Sequence, residues 1–301
     1  MKRFQNSSIH AALVTALAAT AMTVSGCFSD STEGTGELSV AVTDAPVEDA
    51  TAVVVQFNGL RIHSAAGETR DFDFDEPRHI DLLALEGDAS EQLLEDEEVT
   101  AGDYQWIEVK VQARQGQHDS WIEFEDGTEH SLYVPSGAES GLRLVSGFTV
   151  PVNGSADFTI DFDLRKSVHN PGASGLDYKL RPALRMVNNV EVGTLAGSVS
   201  SEWAADEECA GAVYVYDGHD ADTGSLGSDD SPLTSASVSM NEDGDFTYEV
   251  GFLLAGEYTA AFTCEADEDD PEEASDIEFL QSANTEIEVD ETTQLDFGPD
   301  S

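Results

Sequence analysis

The chain has 301 residues, with 61 Asp and Glu against 13 Lys and Arg, and a formal net charge of −48. A surface this anionic repels nucleic-acid phosphates and anionic lipid headgroups, which excludes nucleic acid as a partner. Apolar residues make up 40% of the chain and fall in clear alternation, unlike the composition of a disordered acidic chain. The length suffices for two domains, and only four lysines occur, a composition suited to high salt, where screening weakens self-repulsion.

Lys2 and Arg3 precede an apolar run from Ala11 to Val24. That run is shorter than the roughly 20 residues a spanning helix needs, so it reads as a cleaved signal segment. At its end, Val24-Ser25-Gly26-Cys27 resembles a lipobox, the motif at which bacterial lipoprotein precursors are lipidated on cysteine and cut just before it. An ordinary signal peptide with a nearby cysteine is the alternative. Residues 1–26 are therefore expected to be a lipoprotein signal peptide and Cys27 the lipidation site. The resemblance implies attachment to a membrane through an N-terminal lipid. Phe28-Ser29, with no aspartate directly after the cysteine, implies the outer membrane. Residues 27–36 are mostly small and polar and read as a flexible tether. Removing residues 1–26 takes away two basic residues and no acidic one, so the mature charge is −50.

Short alternating segments follow. Leu38, Val40 and Val42 share a strand face that ends at the turn Thr43-Asp44-Ala45-Pro46. Ala52–His63 is a longer strand, interrupted at Asn58-Gly59 by a bulge or turn. Asp81–Leu94 holds leucines around Gly87 and reads as a short helix or structured loop. Tyr104–Gln112 alternates again, and Trp121–Glu125 and His130–Val134 flank a hairpin turn. In Ala156–Leu164, Phe158, Ile160, Phe162 and Leu164 oppose Asp157, Thr159, Asp161 and Asp163. In Tyr178–Val187, Tyr178, Leu180, Pro182, Leu184 and Met186 oppose Lys179, Arg181, Ala183, Arg185 and Val187. Paired side by side, the two strands would form cross-strand charge ladders worth roughly 0.2–1 kcal/mol per pair. Pro182 would place its strand at an edge or a bulge.

Arg165, Lys166, Lys179, Arg181 and Arg185 are the basic concentration of the mature chain. Such a patch would suit an anionic glycan or lipopolysaccharide phosphates. The favoured expectation is that these cations neutralise the facing aspartates. All 11 basic residues of the mature chain lie between Arg61 and Arg185, and none occurs from Met186 to Ser301. That break marks a domain boundary near residue 190.

The runs LSVAVTDAPVEDATAVVVQFNGL, DLLAL, AGDYQWIEVKV, SGLRLVSGFTVPVNGSADFTIDFDLRKSV and YKLRPALRMV resemble the domain of unknown function numbered 4382. The resemblance implies a β-rich extracytoplasmic module over residues 37–191 and implies no reaction. Beyond it, Gly193-Thr194-Leu195-Ala196-Gly197 opens a strand. Ala212–Asp217, the hairpin turn at Asp243-Gly244, and Ala255-Gly256-Glu257-Tyr258 before another strand complete a pattern. Over residues 193–298 this resembles the carboxypeptidase-regulatory-like (transthyretin-like) sandwich, which implies a non-catalytic spacer or adhesion module. The Ala-Gly-acidic-Tyr turn occurs twice, at Ala101–Tyr104 and Ala255–Tyr258. Cys209 and Cys264 remain once Cys27 takes the lipid. In an oxidising envelope they are expected to form a disulfide, two free thiols being the alternative.

The sequence contains no H-E-x-x-H, G-x-S-x-G, P-loop or G-x-G-x-x-G motif, and the chain is not expected to be an enzyme. Seven histidines are scattered without metal-ligand spacing. Calcium is the cofactor weighed, since it takes oxygen ligands. Asp71, Asp73 and Asp75 would share a strand face, and Asn241, Asp243 and Asp245 alternate around a turn. Solvated charge and a plain hairpin turn are the favoured reading of both. Glu265–Glu273 reads as a solvated acidic loop. The expectation is thus an all-β protein of two consecutive antiparallel β-sandwich domains after a lipoprotein signal peptide. Its expected role is non-enzymatic binding, adhesion or envelope structure, with an extracellular glycan or protein as ligand. A glycan- or calcium-binding accessory protein is the alternative.

Overall fold

The computed structural model describes residues 34–45, 50–135, 141–169 and 177–299. Glu33–Ser301 form one compact unit. The signal segment and Cys27 lie outside the described residues, and the first strand begins at Thr35, inside the stretch expected as tether.

The protein is all-β. In chain order the first strands are β1 (Thr35–Ala45), β2 (Ala50–Ser64), β3 (Thr69–Asp81), β4 (Glu91–Thr100) and β5 (Gly102–Gln112). Next come β6 (Trp121–Phe124), β7 (Glu129–Tyr133), β8 (Leu142–Leu144) and β9 (Phe148–Val150). β10 (Ser155–Asp163), β11 (Val168–His169), β12 (Tyr178–Leu180) and β13 (Ala183–Asn188) complete the first sandwich. One of its sheets has the order β13-β10-β1-β4. The other, nine-stranded, runs β11-β12-β7-β6-β2-β5-β8, with β3 on β2 and β9 on β5. Alternation builds the core between them: Leu38, Val40 and Val42 of β1 and Phe158, Ile160 and Phe162 of β10 meet Val53, Val55 and Phe57 of β2 and Ile107 and Val109 of β5. Phe57 and Phe162 pack edge to face at 5.9 Å, and each fully buried side chain of this size contributes about 1.5–3 kcal/mol.

The second sandwich comprises β14 (Val192–Val199), β15 (Ala212–Asp217), β16 (Thr234–Ser237), β17 (Ser239–Met240) and β18 (Phe246–Leu254), then β19 (Gly256–Thr263), β20 (Phe279–Ile287) and β21 (Thr292–Gln294). Its sheets are β17-β18-β14-β21 and β16-β15-β19-β20. Leu195, Val213, Val215, Tyr248, Val250, Phe262 and Phe297 form the core between them. A disulfide joins Cys209 and Cys264.

Pairing is mostly antiparallel, with parallel exceptions at β1–β10, β7–β12 and β14–β21. Asn58-Gly59 is a bulge, seen as a register shift against both β3 and β5. Gly59 has φ +147 and a Cβ there would lie 2.1 Å from the Phe72 carbonyl oxygen, so only glycine fits. Asp81 caps a single 3-10 turn, Leu82–Leu85, by accepting from Leu83 N, whereas Leu93 and Leu94 belong to β4.

Tyr178–Val187 is not one strand. It breaks at Arg181-Pro182 into β12, which joins the nine-stranded sheet, and β13, which pairs with β10 in the other. Proline cannot donate to a ladder, and here the chain crosses between sheets at that residue.

The repeated Ala-Gly-acidic-Tyr turn has the same structural role twice. Tyr104 Oη donates to Thr100 O at 2.7 Å, and Tyr258 Oη donates to Leu254 O at 2.8 Å. Each tyrosine ties the start of its strand to the carbonyl four residues upstream, once in each sandwich. Among the described residues no helix is long and apolar enough to cross a membrane.

Candidate functional site at the seam between the sandwiches

β10 alternates as a half-solvated strand would, yet Thr159, Asp161 and Asp163 are buried like their apolar neighbours. The second sandwich covers that face. Five polar groups define the seam: Asp44 at the end of β1, Asp161 and Asp163 on β10, Arg165 in the helical turn Leu164–Ser167, and Arg185 on β13.

Arg185 stands opposite Asp161 in the β10–β13 register. Its Nε donates to Asp161 Oδ2 at 2.5 Å, and its Nη1 donates across the seam to Phe252 O on β18 at 3.0 Å. Arg165 is only 3% exposed. Its Nη2 donates to Ala266 O at 2.7 Å, and its guanidinium lies 5.0 Å from the centroid of the Tyr214 ring. Lys166 Nζ donates to Pro232 O and lies 3.6 Å from Asp163 Oδ2. Arg181 pairs with Glu272. In the reverse direction, Glu249 of β18 accepts from Asp88 N at 3.0 Å. Four of the five residues of the expected basic patch thus reach into the second sandwich. Lys179 stands apart on β12, opposite His169 in register.

The carboxylates cap backbone. Asp44 Oδ1 accepts from Leu164 N at 3.2 Å and Asp163 Oδ1 accepts from Lys166 N at 3.1 Å, which starts the helical turn carrying Arg165. Burial pushes the Asp44 carboxyl well above the usual range, and the nearby Asp161 and Asp163 push it further. Burial likewise raises Asp163 to about 6, against the opposing pull of Lys166. Asp44 Oδ2 and Ser235 Oγ have no hydrogen-bond partner among the described residues. Both residues line one void of about 10 Å³, close to the smallest space that holds a water. A larger cleft of about 540 Å³ opens nearby, lined by Glu86, Ser198, Thr247, Glu249, Gln294 and Asp296 among others. Burial raises the Glu86 carboxyl.

The acidic stretch Glu265–Glu273 is not a uniformly solvated loop. Asp269 is buried, accepting from Tyr214 Oη at 2.8 Å and from Leu226 N at 2.9 Å. Ala266, also buried, supplies the carbonyl that Arg165 holds. Nothing in the run of acids distinguishes Asp269 by sequence. Asp44 was marked only by its place between a strand and Pro46.

The residues weighed for calcium lie in two separate places. Lys110 bonds Asp71 and donates to Asp73 at 2.6 Å, and Arg61 donates to Asp71 at 2.7 Å. Those bonds hold the Asp71 carboxyl below its usual range, Lys110 contributing most. An ammonium therefore already sits between Asp71 and Asp73. Asn241 Oδ1 accepts from Asp243 N at 3.0 Å and Asp245 N at 2.9 Å, closing the β17–β18 hairpin turn. Among the described residues, no group of three or more His, Cys, Asp or Glu side chains is arranged to hold a metal ion.

Residues 35–182, which carry the whole first sandwich except β13, match the family model described as Domain of unknown function (DUF4382). No protein with a curated description matches the chain. Among solved structures, the chain is similar to a leucine-rich repeat protein from Bacteroides thetaiotaomicron, with 13% identity and a TM-score of 0.21 over 87% of this chain. It is similar to the Bacillus anthracis TIE protein at 12% identity and a TM-score of 0.20, over 87% of this chain. It spans 26% and 34% of those two chains. The minor pilin GBS52 of Streptococcus agalactiae is 9% identical with a TM-score of 0.19, the match covering 86% of this chain and 94% of the pilin.

Proposed function

We propose that this is a non-enzymatic, lipid-anchored envelope protein with a binding, adhesion or structural role. In this reading residues 37–191 and 193–298 are two domains fixed as one body, the second a carboxypeptidase-regulatory-like spacer. The observation that carries the proposal is the use made of buried charge. Arg165 and Arg185 are committed to second-sandwich carbonyls, and Asp44 and Asp163 to backbone caps. The polar cluster fastens two sandwiches together. The lipobox-like Val24–Cys27 supports lipid attachment and Phe28-Ser29 after it supports the outer membrane, in an oxidising envelope where the Cys209–Cys264 disulfide persists.

Metabolic labelling with a palmitate analogue and membrane fractionation test this reading. The wild type should carry label and sediment with outer membranes, and Cys27→Ala should lose both. Persistent outer-membrane fractionation of Cys27→Ala would overturn it. A second reading, an accessory protein that binds a neutral glycan, is favoured by the hydroxyl-, amide- and carboxylate-lined cleft of about 540 Å³. Its test is a glycan array, with Gln294→Ala expected to remove any signal. In calcium titration calorimetry, absence of both heat and a melting shift would remove the metal version.

A further inference from the structure

β20 is paired with β19 on one side and with no strand on the other among the described residues. Proteins blunt such edges with charge, proline, bulges or shortness, because unpaired N–H and C=O groups template further pairing. The other edges of this molecule follow that rule. β4 carries Glu91, Glu95, Asp96, Glu97 and Glu98 and is bulged against β1. β3 holds Pro77 and a dense run of charges. β8, β9, β11, β16, β17 and β21 are four residues or shorter. β13 lies against β18 of the second sandwich.

β20 is defended only at its ends, by a register shift against β19 that leaves Leu280 as the extra residue and by Glu286 near its C-terminus. It is nine residues long, and Phe279–Thr285 contains no charge in a chain where Asp and Glu number 61 of 301. Leu280 is 42% exposed, and Ser282 is exposed as well. Gln281 is engaged by Gly298 N at 3.0 Å and fixes the strand to the body. Glu278 precedes the uncharged run, and Glu286 and Glu288 follow it.

We propose that the free edge of β20 is a β-augmentation site for an extended segment of a partner protein, uncharged in its centre and carrying Lys or Arg at its ends. Main-chain hydrogen bonds supply the attachment and the flanking charges the selectivity. Antiparallel self-pairing centred on Ser282 would set Glu278 opposite Glu286 twice, in addition to the repulsion between two strongly acidic bodies. Charge therefore favours a cationic-flanked partner over a second copy. The site stands independently of lipid attachment.

The test is fluorescence anisotropy of the purified chain with a labelled peptide bearing the sequence of Phe279–Thr285 between lysine pairs. Saturable binding is expected, lost when alternate peptide nitrogens are N-methylated and weakened about tenfold or more when glutamate pairs replace the lysines. Ser282→Lys alters an exposed side chain, so it should weaken binding without changing the melting temperature. Undiminished binding of the N-methylated peptide, or no saturable binding of the lysine peptide, would overturn the proposal. So would concentration-dependent self-association of the chain that Ser282→Lys abolishes, since the edge would then be closed by a second copy. Failure here leaves the Cys27 fractionation result untouched, and the reverse also holds.

Discussion

Arg185 offers the sharpest test of the seam. Replacing it with methionine keeps most of the aliphatic volume but removes the 2.5 Å bond to Asp161 and the 3.0 Å bond to Phe252 O. The Asp161 side chain is 4% exposed and that of Arg185 19%, so the mutation strands a carboxylate out of water. Breaking a buried pair in this way costs about 3–5 kcal/mol, much of it the penalty of the unpaired charge. Arg185→Met combined with Asp161→Asn leaves no charge behind and should recover about 2 kcal/mol of that loss. Urea unfolding followed by circular dichroism and tryptophan fluorescence measures all four corners of the cycle. Trp106 and Trp121 report on the first sandwich and Trp203 on the second, so a loosened seam should separate the two transitions. The coupling should change little with added salt, because buried pairs are weakly screened. Strict additivity, or a single-mutant loss below about 1 kcal/mol as for an exposed pair, would refute the seam as a buried electrostatic joint.

The remaining predictions concern pH, covalent closure and the tyrosines. Asp163 rises from 3.8 to about 6 on folding, so between these values the folded chain holds a proton that the unfolded chain has released. Its contribution is therefore fully present below pH 4 and lost as pH rises through 6, a span worth up to about 3 kcal/mol. Asp163→Asn, which keeps a carbonyl oxygen to cap Lys166 N, should flatten that part of the stability–pH curve in chemical denaturation. An unchanged slope would count against the burial argument. Reducing the Cys209–Cys264 bridge, whose cysteines are 55 residues apart, should cost at most about 4 kcal/mol, read as a fall in urea midpoint with dithiothreitol. Tyr104→Phe and Tyr258→Phe should each cost about 0.5–1.5 kcal/mol, and additively, since the two corners lie in different sandwiches.

Much of the fold was legible because alternation is local. Leu38, Val40 and Val42, or Ile107, Val109 and Val111, announce a core face in their own spacing, and the structure buries them together. The last basic residue, Arg185, lies on β13, and the strands from Val192 onward pair in other sheets of the same compact unit. Pro182 was noticed as a strand defect, but a sheet-to-sheet crossing depends on where β7 and β10 lie, and no local pattern encodes that. The burial of the polar face of β10 is illegible for the same reason. Asp157, Thr159, Asp161 and Asp163 have the spacing of a solvated face, and only the position of β16 and β18 buries most of it. Cations expected to neutralise neighbouring aspartates do so at Asp161–Arg185 and Asp163–Lys166. They also hold groups far along the chain, the carbonyl oxygens of Ala266 and Pro232 and the Glu272 carboxylate.

The placement of the few cations has a consequence for how this molecule meets others. Arg165, Lys166, Arg181 and Arg185 are engaged at the seam. Arg61, Lys110 and Arg143 are tied to Asp71, Asp73 and Glu108 on the nine-stranded sheet. The charge left facing outward is therefore overwhelmingly negative, and most uniformly so on the second sandwich, whose sequence has no cation at all. Long-range attraction to an anionic membrane or an acidic neighbour is closed to such a body. Salt shrinks that repulsion to about 8 Å at physiological strength and about 3 Å at 1 M, while the buried bonds of the seam persist. High salt thus relieves the outer repulsion without loosening the joint, a division of labour that fits cations placed inside and carboxylates outside. Attachment to an anionic membrane must then rest on a covalent lipid, while the outward charge favours partners that carry cations, as proposed for the edge of β20.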